Sequence, residues 1–211
     1  MTRRGLPVVV CLLAGCGPRY GLLTAPARYA RQAPEKYKAR FETTKGVFVI
    51  EVTRASAPLG ADRFYNLVRG GFYDGARFFR TLPKFVVQFG INPDPKVSKA
   101  WGDATKIKDD PVKESNQRGA VTFAMAGPDT RTTQVYINMR DNSRLDKMGF
   151  APFGKVIAGM DVVEKLYADY GEGPPRGKGP DQDKIEAEGE AYLAREFPKL
   201  DKIVRARIYT R

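Results

Sequence analysis

Residues 78–90 read FFRTLPKFVVQFG. Aromatic and β-branched side chains lie on both sides of Pro83, which predicts two strands, roughly 76–82 and 85–89, separated by a turn at the proline. Arg80 falls in the first predicted strand and Gln88 in the second. An arginine in an aromatic strand either packs its stem and extends its charge to solvent, or acts as a donor at a site.

A strand and a helix precede this segment. Residues 46–52 are rich in β-branched side chains and are bounded by turn-forming residues, which predicts a strand. Pro58 predicts the start of a helix because proline suits the first turn, and the Gly70-Gly71 pair predicts its end. One apolar face follows the helical repeat, made of Ala61, Phe64, Leu67 and Val68.

Strands also dominate the sequence after residue 90. Residues 92–118 are polar and interrupted by prolines, so we expect a long surface excursion there. Strands are predicted at 119–126, 133–138, 153–156 and 203–209, helices at 161–167 and 183–196, and a Gly- and Pro-rich loop at 171–180. Few, widely spaced helices among many strands favour a mainly β fold, a closed barrel capped by helices.

The composition excludes several kinds of catalysis. The chain has 211 residues and no histidine, which excludes imidazole acid–base chemistry, Ser-His-Asp triads and histidine metal sites. Its two cysteines, Cys11 and Cys16, lie near the start, so the rest of the chain holds no thiol nucleophile or thiolate metal site. We predict no cofactor and no metal, and chemistry based on positioning and polarity.

The charge is strongly basic. The formal net charge is +12, or 12 − 2 = +10 once residues 1–15, with Arg3 and Arg4, are removed. The basic residues are scattered, so we predict a solvated basic surface and no specific nucleic-acid partner. The alternative is a surface that binds nucleic acid or an anionic envelope polymer, with a steep salt dependence.

The first 39 residues predict export and a lipid anchor. Arg3 and Arg4 precede an apolar run too short to span a bilayer, which is typical of a signal peptide, residues 1–15. The run ends Leu13-Ala14-Gly15-Cys16 and resembles the lipobox of bacterial lipoproteins, in which the cysteine becomes lipidated. The alternative is an ordinary secretory peptide with a released product. Residues 16–39 have no sustained apolar repeat and predict a flexible tether.

Four blocks of sequence resemble those of cyclophilins and occur in the same order. Residues 78–90 are similar to the signature F-H-R-x-x-x-x-F-x-x-Q-G-G. The others are FAMAGPDT at 123–130, similar to M-A-N-A-G-P-N-T, TQVYI at 133–137, similar to S-Q-F-F-I, and FGKV with GMDVV at 153–163, similar to F-G-K-V-x-x-G-M-x-x-V. The resemblance implies an isomerase domain, residues 40–211, folded as a closed eight-stranded antiparallel barrel with an extra C-terminal helix before the last strand.

The resemblance also implies roles for individual residues. Cyclophilins isomerise peptide bonds that precede proline in polypeptide substrates, and their motif arginine is the donor, which implies that role for Arg80 with support from Gln88. Phe85, Phe123, Tyr136 and Leu145 would wall the proline pocket, and Ala124 would offer backbone groups to the peptide. The other residues implied to bind substrate are Val86, Met125, Gln134, Arg144 and Phe150. For Gln134, a buried hydrogen-bonding role is an equal alternative.

The sequence departs from the cyclophilin pattern at several positions. Phe79 replaces the histidine before the arginine, and Phe89 replaces the first glycine of Q-G-G, which puts the local backbone shape in question. Met125 and Phe150 replace polar residues of the pocket. Arg144 replaces a tryptophan that contributes to cyclosporin binding in many cyclophilins, so we expect weak cyclosporin affinity and an altered sequence preference.

Together these features predict a monomeric peptidyl-prolyl isomerase of the bacterial cell envelope. Cys16 would anchor it by lipid to a membrane, the outer membrane facing the periplasm in a Gram-negative cell. The alternative function is a proline-peptide-binding or chaperone-like domain with little turnover, in which Arg80 is poorly placed.

Overall fold

One curled antiparallel sheet of eight strands forms the body of the protein. The structure is a computed structural model and describes residues 23–209, so the predicted signal peptide and Cys16 lie outside the described residues. The strands are β1 (Lys36–Thr43), β2 (Gly46–Thr53), β3 (Arg80–Thr81), β4 (Val86–Phe89), β5 (Ala120–Phe123), β6 (Val135–Asn138), β7 (Pro152–Ala158) and β8 (Ile203–Tyr209). Their order across the sheet is β3-β4-β6-β5-β7-β2-β1-β8, and all neighbours are antiparallel.

The expected closed barrel is observed as an open, curled sheet. Its two ends, β3 and β8, form no continuous ladder within residues 23–209. The segments next to them are joined by an isolated bridge between Arg77 and Lys202. Hydrogen bonds such as Phe78 N–H to Asp201 O at 3.0 Å add to this contact. The physical reason is the length of β3, because two residues are too few to pair along the seven residues of β8.

Five helices accompany the sheet in the described part of the chain. They are α1 (Pro58–Gly70), α2 (Pro95–Ala100), α3 (Met160–Glu164), α4 (Gln182–Glu188) and α5 (Glu190–Glu196). Helix α1 begins at the predicted proline and ends at Gly71, which adopts the left-handed conformation with φ +76°. Its predicted apolar face is fully buried against the sheet, which confirms the helical repeat read from the sequence.

The part of the predicted tether that the structure describes, residues 23–39, is packed onto the domain. Leu23 is buried, and its carbonyl oxygen accepts a hydrogen bond from the Trp101 indole N–H at 2.8 Å. Tyr37 belongs to β1 and donates from its hydroxyl to the Ala61 carbonyl at 2.7 Å. The flexible tether predicted for residues 16–39 is therefore wrong from residue 23 onward. The packing partners lie far away in sequence, and local composition does not reveal them.

The predicted surface excursion, residues 92–118, also carries buried structure. It contains α2 and the buried side chains of Asn92 and Asp110. Asp110 accepts hydrogen bonds from the backbone N–H groups of Leu59 and Gly60 at 2.9 and 2.8 Å, at the start of α1. A polar segment thus supplies the anion that satisfies the free N–H groups of a helix start.

The C-terminal helical region packs as a second apolar layer against the outside of the sheet. The single helix predicted for 183–196 is divided into α4 and α5 at Gly189, which has φ +61° and lies so close to Pro93 that a side chain would collide with its carbonyl oxygen. Seven buried residues form the layer: Phe79, Ile91, Ile185, Tyr192, Leu193, Phe197 and Leu200. Phe79, the residue in place of the signature histidine, is thus part of this packing.

No helix among residues 23–209 has the length and apolar character needed to cross a bilayer.

Candidate active site

A groove of about 780 Å³ crosses the surface above β3, β4 and β6. It is lined by all of the residues predicted for the site except Phe123, namely Arg80, Phe85, Val86, Gln88, Ala124, Met125, Gln134, Tyr136, Arg144, Leu145 and Phe150. They come from five separate parts of the chain, so the fold brings them together. Their individual roles stay predictions.

The strand register sets the floor of the groove. Arg80 of β3 lies directly opposite Gln88 of β4, and Gln88 lies opposite Tyr136 of β6. Residues opposite one another in an antiparallel pair project from the same face of the sheet. Arg80 and Gln88 are eight residues apart in the sequence because the hairpin of β3 and β4 places them opposite one another.

A row of polar side chains runs along this floor. Arg80 Nη1 donates to Gln88 Oε1 at 3.1 Å, and Gln88 Nε2 donates to Gln134 Oε1 at 2.8 Å. Gln88 thus uses both ends of its amide, one toward the cation and one toward Gln134. The two readings of Gln134 are compatible, because its side chain both lines the groove and takes part in this hydrogen-bonded row.

Glu172 joins the row from the far side and was missed by the sequence analysis. Both of its oxygens accept hydrogen bonds from Arg80, from Nε to Oε1 and from Nη2 to Oε2, each at 2.7 Å. The hydrogen bonds from Arg80 hold the pKa of the Glu172 carboxyl below its ordinary value. Its segment was predicted only as a loop, and no motif in the sequence marks the residue as part of the site.

An apolar pocket adjoins the polar row. Val86, Tyr136 and Leu145 form a buried cluster of their own, with Phe85, Ala124 and Phe150 partly buried against it. The rings of Tyr136 and Phe150 meet edge to face, with centres 5.9 Å apart. Such a pocket suits a small apolar group.

The hydroxyl of Tyr136 is held away from the pocket. It donates to Asn116 Oδ1 at 3.1 Å, and burial raises the pKa of Tyr136. The phenol therefore stays neutral at physiological pH, and the ring supplies an apolar wall rather than a charge.

Two guanidinium groups lie close to the ring of Phe85. The Cζ atoms of Arg80 and Arg144 lie 5.5 and 5.1 Å from the centre of its ring. Both distances are within the range of cation–π attraction. Arg144, in place of the tryptophan of many cyclophilins, thus adds positive charge at the rim of the pocket.

Phe123 is placed in the core and not in the groove, which corrects the prediction that it walls the pocket. Its side chain is 1% exposed, and its ring centre is 5.1 Å from that of Phe153. Successive strand residues point to opposite faces, so Ala124 faces the groove while Phe123 faces the interior. The Ala124 N–H donates to Gln134 O at 2.9 Å and is not available to a bound peptide.

The replacement of glycine by Phe89 leaves the strand intact. Phe89 is fully buried within β4 and contacts the ring of Phe78, with centres 5.3 Å apart. The neighbouring Gly90 is the position that requires glycine, because it has φ +118° and an added Cβ would lie 2.5 Å from the Thr133 carbonyl oxygen.

The groove therefore combines the guanidinium of Arg80, the side-chain amides beside it and an apolar pocket. Among residues 23–209 there is no group of three or more acidic, His or Cys side chains arranged to hold a metal ion. This set of groups suits polarisation of an amide without covalent chemistry.

Comparison with known proteins identifies the class to which this fold and groove belong. The family model for cyclophilin type peptidyl-prolyl cis-trans isomerase/CLD matches residues 38–187. The chain belongs to the cyclophilin family and is a peptidyl-prolyl cis-trans isomerase by that relationship.

Individual relatives agree with this assignment. The chain is 37% identical over 131 residues to a peptidyl-prolyl cis-trans isomerase of Acinetobacter baylyi, covering 59% of this chain and 69% of that protein. It is 34% identical over 129 residues to peptidyl-prolyl cis-trans isomerase A of Dickeya dadantii, covering 59% and 67%. The fold resembles the crystal structure of a cyclophilin type isomerase from Cryptosporidium parvum, with TM-score 0.61, 20% identity, and coverage of 83% and 99%.

Proposed function

We propose that Arg80 accelerates the isomerisation by donating a hydrogen bond to the prolyl nitrogen of a twisted Xaa-Pro bond. Rotation about a peptide bond must break amide resonance, a barrier of about 18–20 kcal/mol. In the twisted state the nitrogen is pyramidal and its lone pair is localised, so it becomes a hydrogen-bond acceptor. A donor placed there stabilises the twisted form more than the planar one, which lowers the barrier.

The observation that carries this proposal is the place of Arg80 between the polar row and the apolar pocket. Its guanidinium contacts the Phe85 ring, which helps to form that pocket, while Gln88 holds Nη1. A proline ring bound in the pocket would lie beside the cation. The side chain of Arg80 is 17% exposed, so its donors are partly shielded from water and can still be reached by a peptide.

The number of donors is sufficient for this role. An arginine has five N–H donors, and three are used here, by Gln88 and by the two oxygens of Glu172. One N–H on Nη1 and one on Nη2 remain. Either of these two can serve the prolyl nitrogen.

Isomerisation of an Xaa-Pro peptide measured by NMR exchange tests the proposal. Arg80→Ala is expected to lower kcat/KM by about a hundredfold or more, the usual effect of removing a transition-state donor. The control is Arg118→Ala, which removes an exposed arginine that pairs with Glu164. Undiminished isomerisation by Arg80→Ala contradicts the mechanism. Peptide binding with negligible turnover by the wild type supports the chaperone-like alternative.

We also propose that the protein acts on envelope proteins while anchored through lipid on Cys16. The support is in the sequence alone: Arg3, Arg4 and the short apolar run that ends at Cys16. Two or three acyl chains anchor a protein stably where one does not, since each buried methylene contributes about 0.8 kcal/mol.

Metabolic labelling with a fatty acid tests the anchor. Cys16→Ala should lose the label, while Cys11→Ala, the other cysteine of the chain, should keep it. Label retained by Cys16→Ala refutes lipidation at that residue and favours the released secretory product.

A further inference from the structure

We propose that Glu172 is a positioning residue for Arg80 and that it fixes the plane of the guanidinium from the side opposite Gln88. The inference rests on the proposed role of Arg80 in catalysis. It adds a residue from the loop 171–180, outside the four blocks that resemble cyclophilins.

The contact between Glu172 and Arg80 has the geometry of a two-point clamp. The two hydrogen bonds, each 2.7 Å, use both carboxylate oxygens and two nitrogens on one edge of the guanidinium. A planar fork held at two points cannot rotate, whereas a single hydrogen bond would leave it free to swing. The backbone N–H of Gly173 donates to Glu172 Oε1 at 3.2 Å and orients the carboxylate in turn.

Gln88 and Glu172 together hold the guanidinium on two sides. Gln88 reaches Nη1, and Glu172 takes Nε and Nη2. One N–H on Nη1 and one on Nη2 are left for the peptide. A donor that is already ordered before substrate binds needs no reorganisation in the transition state.

The loop that carries Glu172 is wound tightly enough to support such a role. The Glu172 carbonyl accepts a hydrogen bond from Gly179 N–H at 2.8 Å, and the Gly173 carbonyl accepts from Gly177 N–H at 3.0 Å. A side chain at Gly177 would collide with the Glu172 carbonyl oxygen, so the loop closes on itself at this point because glycine allows it. Gly173, Pro174, Pro175 and Arg176 continue along the groove as its wall.

The environment of the pair differs from that of ion pairs on the open surface. The side chains of Arg80 and Glu172 are 17% and 25% exposed, compared with 52% and 42% for Arg118 and Glu164. An exposed pair is loosened by water and salt, while a shielded, doubly bonded pair keeps its geometry. The Arg118–Glu164 pair is therefore a matched control for the loss of an Arg–Glu contact.

A double-mutant cycle tests the proposal with the full chain. The variants are Glu172→Gln, Arg80→Ala and the double variant, assayed for kcat and KM by NMR exchange at high enzyme concentration. We expect Glu172→Gln to lower kcat about tenfold, within the usual coupling of neighbouring groups, with little change in KM. In the Arg80→Ala background the same substitution should have no further effect, since Glu172 acts through Arg80.

Two further measurements separate positioning from a merely structural role. The Arg80 Nε–H resonance should shift and exchange faster with water in Glu172→Gln, while Glu164→Gln should change neither this resonance nor kcat. Glu172→Asp retains two carboxylate oxygens and should preserve more activity than Glu172→Gln.

Three outcomes would overturn the proposal. A rise in kcat in Glu172→Gln would make the carboxylate a brake on Arg80. Full activity in Glu172→Gln beside an inactive Arg80→Ala would leave the proposed function intact and reject the positioning role. An equal loss with and without Arg80 would show that Glu172 acts by another route. Full activity in Arg80→Ala would instead reject the proposed function itself.

Discussion

Arg131 and Asp110 form an ion pair in the interior of the protein, with Arg131 Nη1 3.0 Å from Asp110 Oδ2 and both side chains at most 4% exposed. The same carboxylate accepts the hydrogen bonds from Leu59 and Gly60 at the start of α1. One side chain thus connects the 92–118 segment, α1 and the segment before β6.

Asp110→Ala is expected to destabilise the fold by about 3 kcal/mol. It removes one of the two carboxylates beside the buried charge of Arg131 and the acceptor for two N–H groups at the start of α1, while Asp109 Oδ1 stays 3.1 Å from Arg131 Nε. Guanidinium denaturation followed by fluorescence measures this. Glu164→Ala removes a carboxylate from the exposed pair with Arg118 and should cost about 1 kcal/mol or less. Equal midpoints for the two variants would show that the buried pair is not important for stability.

Phe79→Ala is expected to destabilise the C-terminal layer by about 3 kcal/mol, since it removes a buried ring that packs on α4 and α5. Phe79→Leu keeps most of the apolar volume and should cost about 1 kcal/mol. Hydrogen exchange of the amides of α4 and α5 checks where the effect falls. Unchanged protection in these helices after Phe79→Ala would contradict the packing role.

Gln88→Ala is expected to lower kcat/KM about tenfold, less than Arg80→Ala, because Arg80 keeps its contacts with Glu172 when Gln88 is lost. A hydrogen bond to a charged group contributes about 1.5–3 kcal/mol. The NMR exchange assay measures the change, with the exposed Gln117→Ala as the control. A loss as large as that of Arg80→Ala would mean that Gln88 has a direct role in the reaction.

The isomerase activity should decline only in acid. The pKa of Glu172 lies below its ordinary value of 4.5, chiefly because Arg80 donates hydrogen bonds to the charged form, with a smaller contribution from the cation of Arg176. A carboxyl with a lowered pKa contributes stability above its ordinary pKa and loses it as the pH falls through the lowered value. The clamp on Arg80 should therefore open only below about pH 4.5.

NMR exchange measured from neutral to acid pH checks this, with circular dichroism to show that the protein is still folded. Glu172→Gln has no carboxyl at this position, so its lower activity should lack the decline in acid. A wild-type activity that already falls between pH 7 and pH 6 would contradict the assignment to Glu172. The chain has no histidine, so an imidazole could not account for such a fall.

The sequence was sufficient for the features that depend on local pattern. Helix α1 was predicted from Pro58, Gly70-Gly71 and its apolar repeat, and β8 was predicted at 203–209 as observed. Arg80 and Gln88 were brought together by motif resemblance, and the β3–β4 register places them opposite one another. Strand alternation places Phe123 inward and Ala124 outward, which motif resemblance alone does not reveal.

The remaining features depend on contacts between distant parts of the chain. Leu23 is 78 residues from Trp101, its hydrogen-bond partner, and Glu172 is 92 residues from Arg80. Composition marked both segments as irregular, which is correct for loop 171–180. It gave no information on where such a segment packs, because that is decided by the path of the folded chain.

The adjacent residues Phe79 and Arg80 connect the C-terminal layer to the groove, the first by packing on α4 and α5 and the second by lining the groove floor. For protein engineering, this means that the contact between Glu172 and Arg80 cannot be transferred to another protein by a single substitution. Giving a relative the same clamp would require the glycine-rich loop, the two helices that follow it and the apolar positions 79 and 91 on which they rest. The loop, the helices and the apolar residues that support them would have to be transferred together.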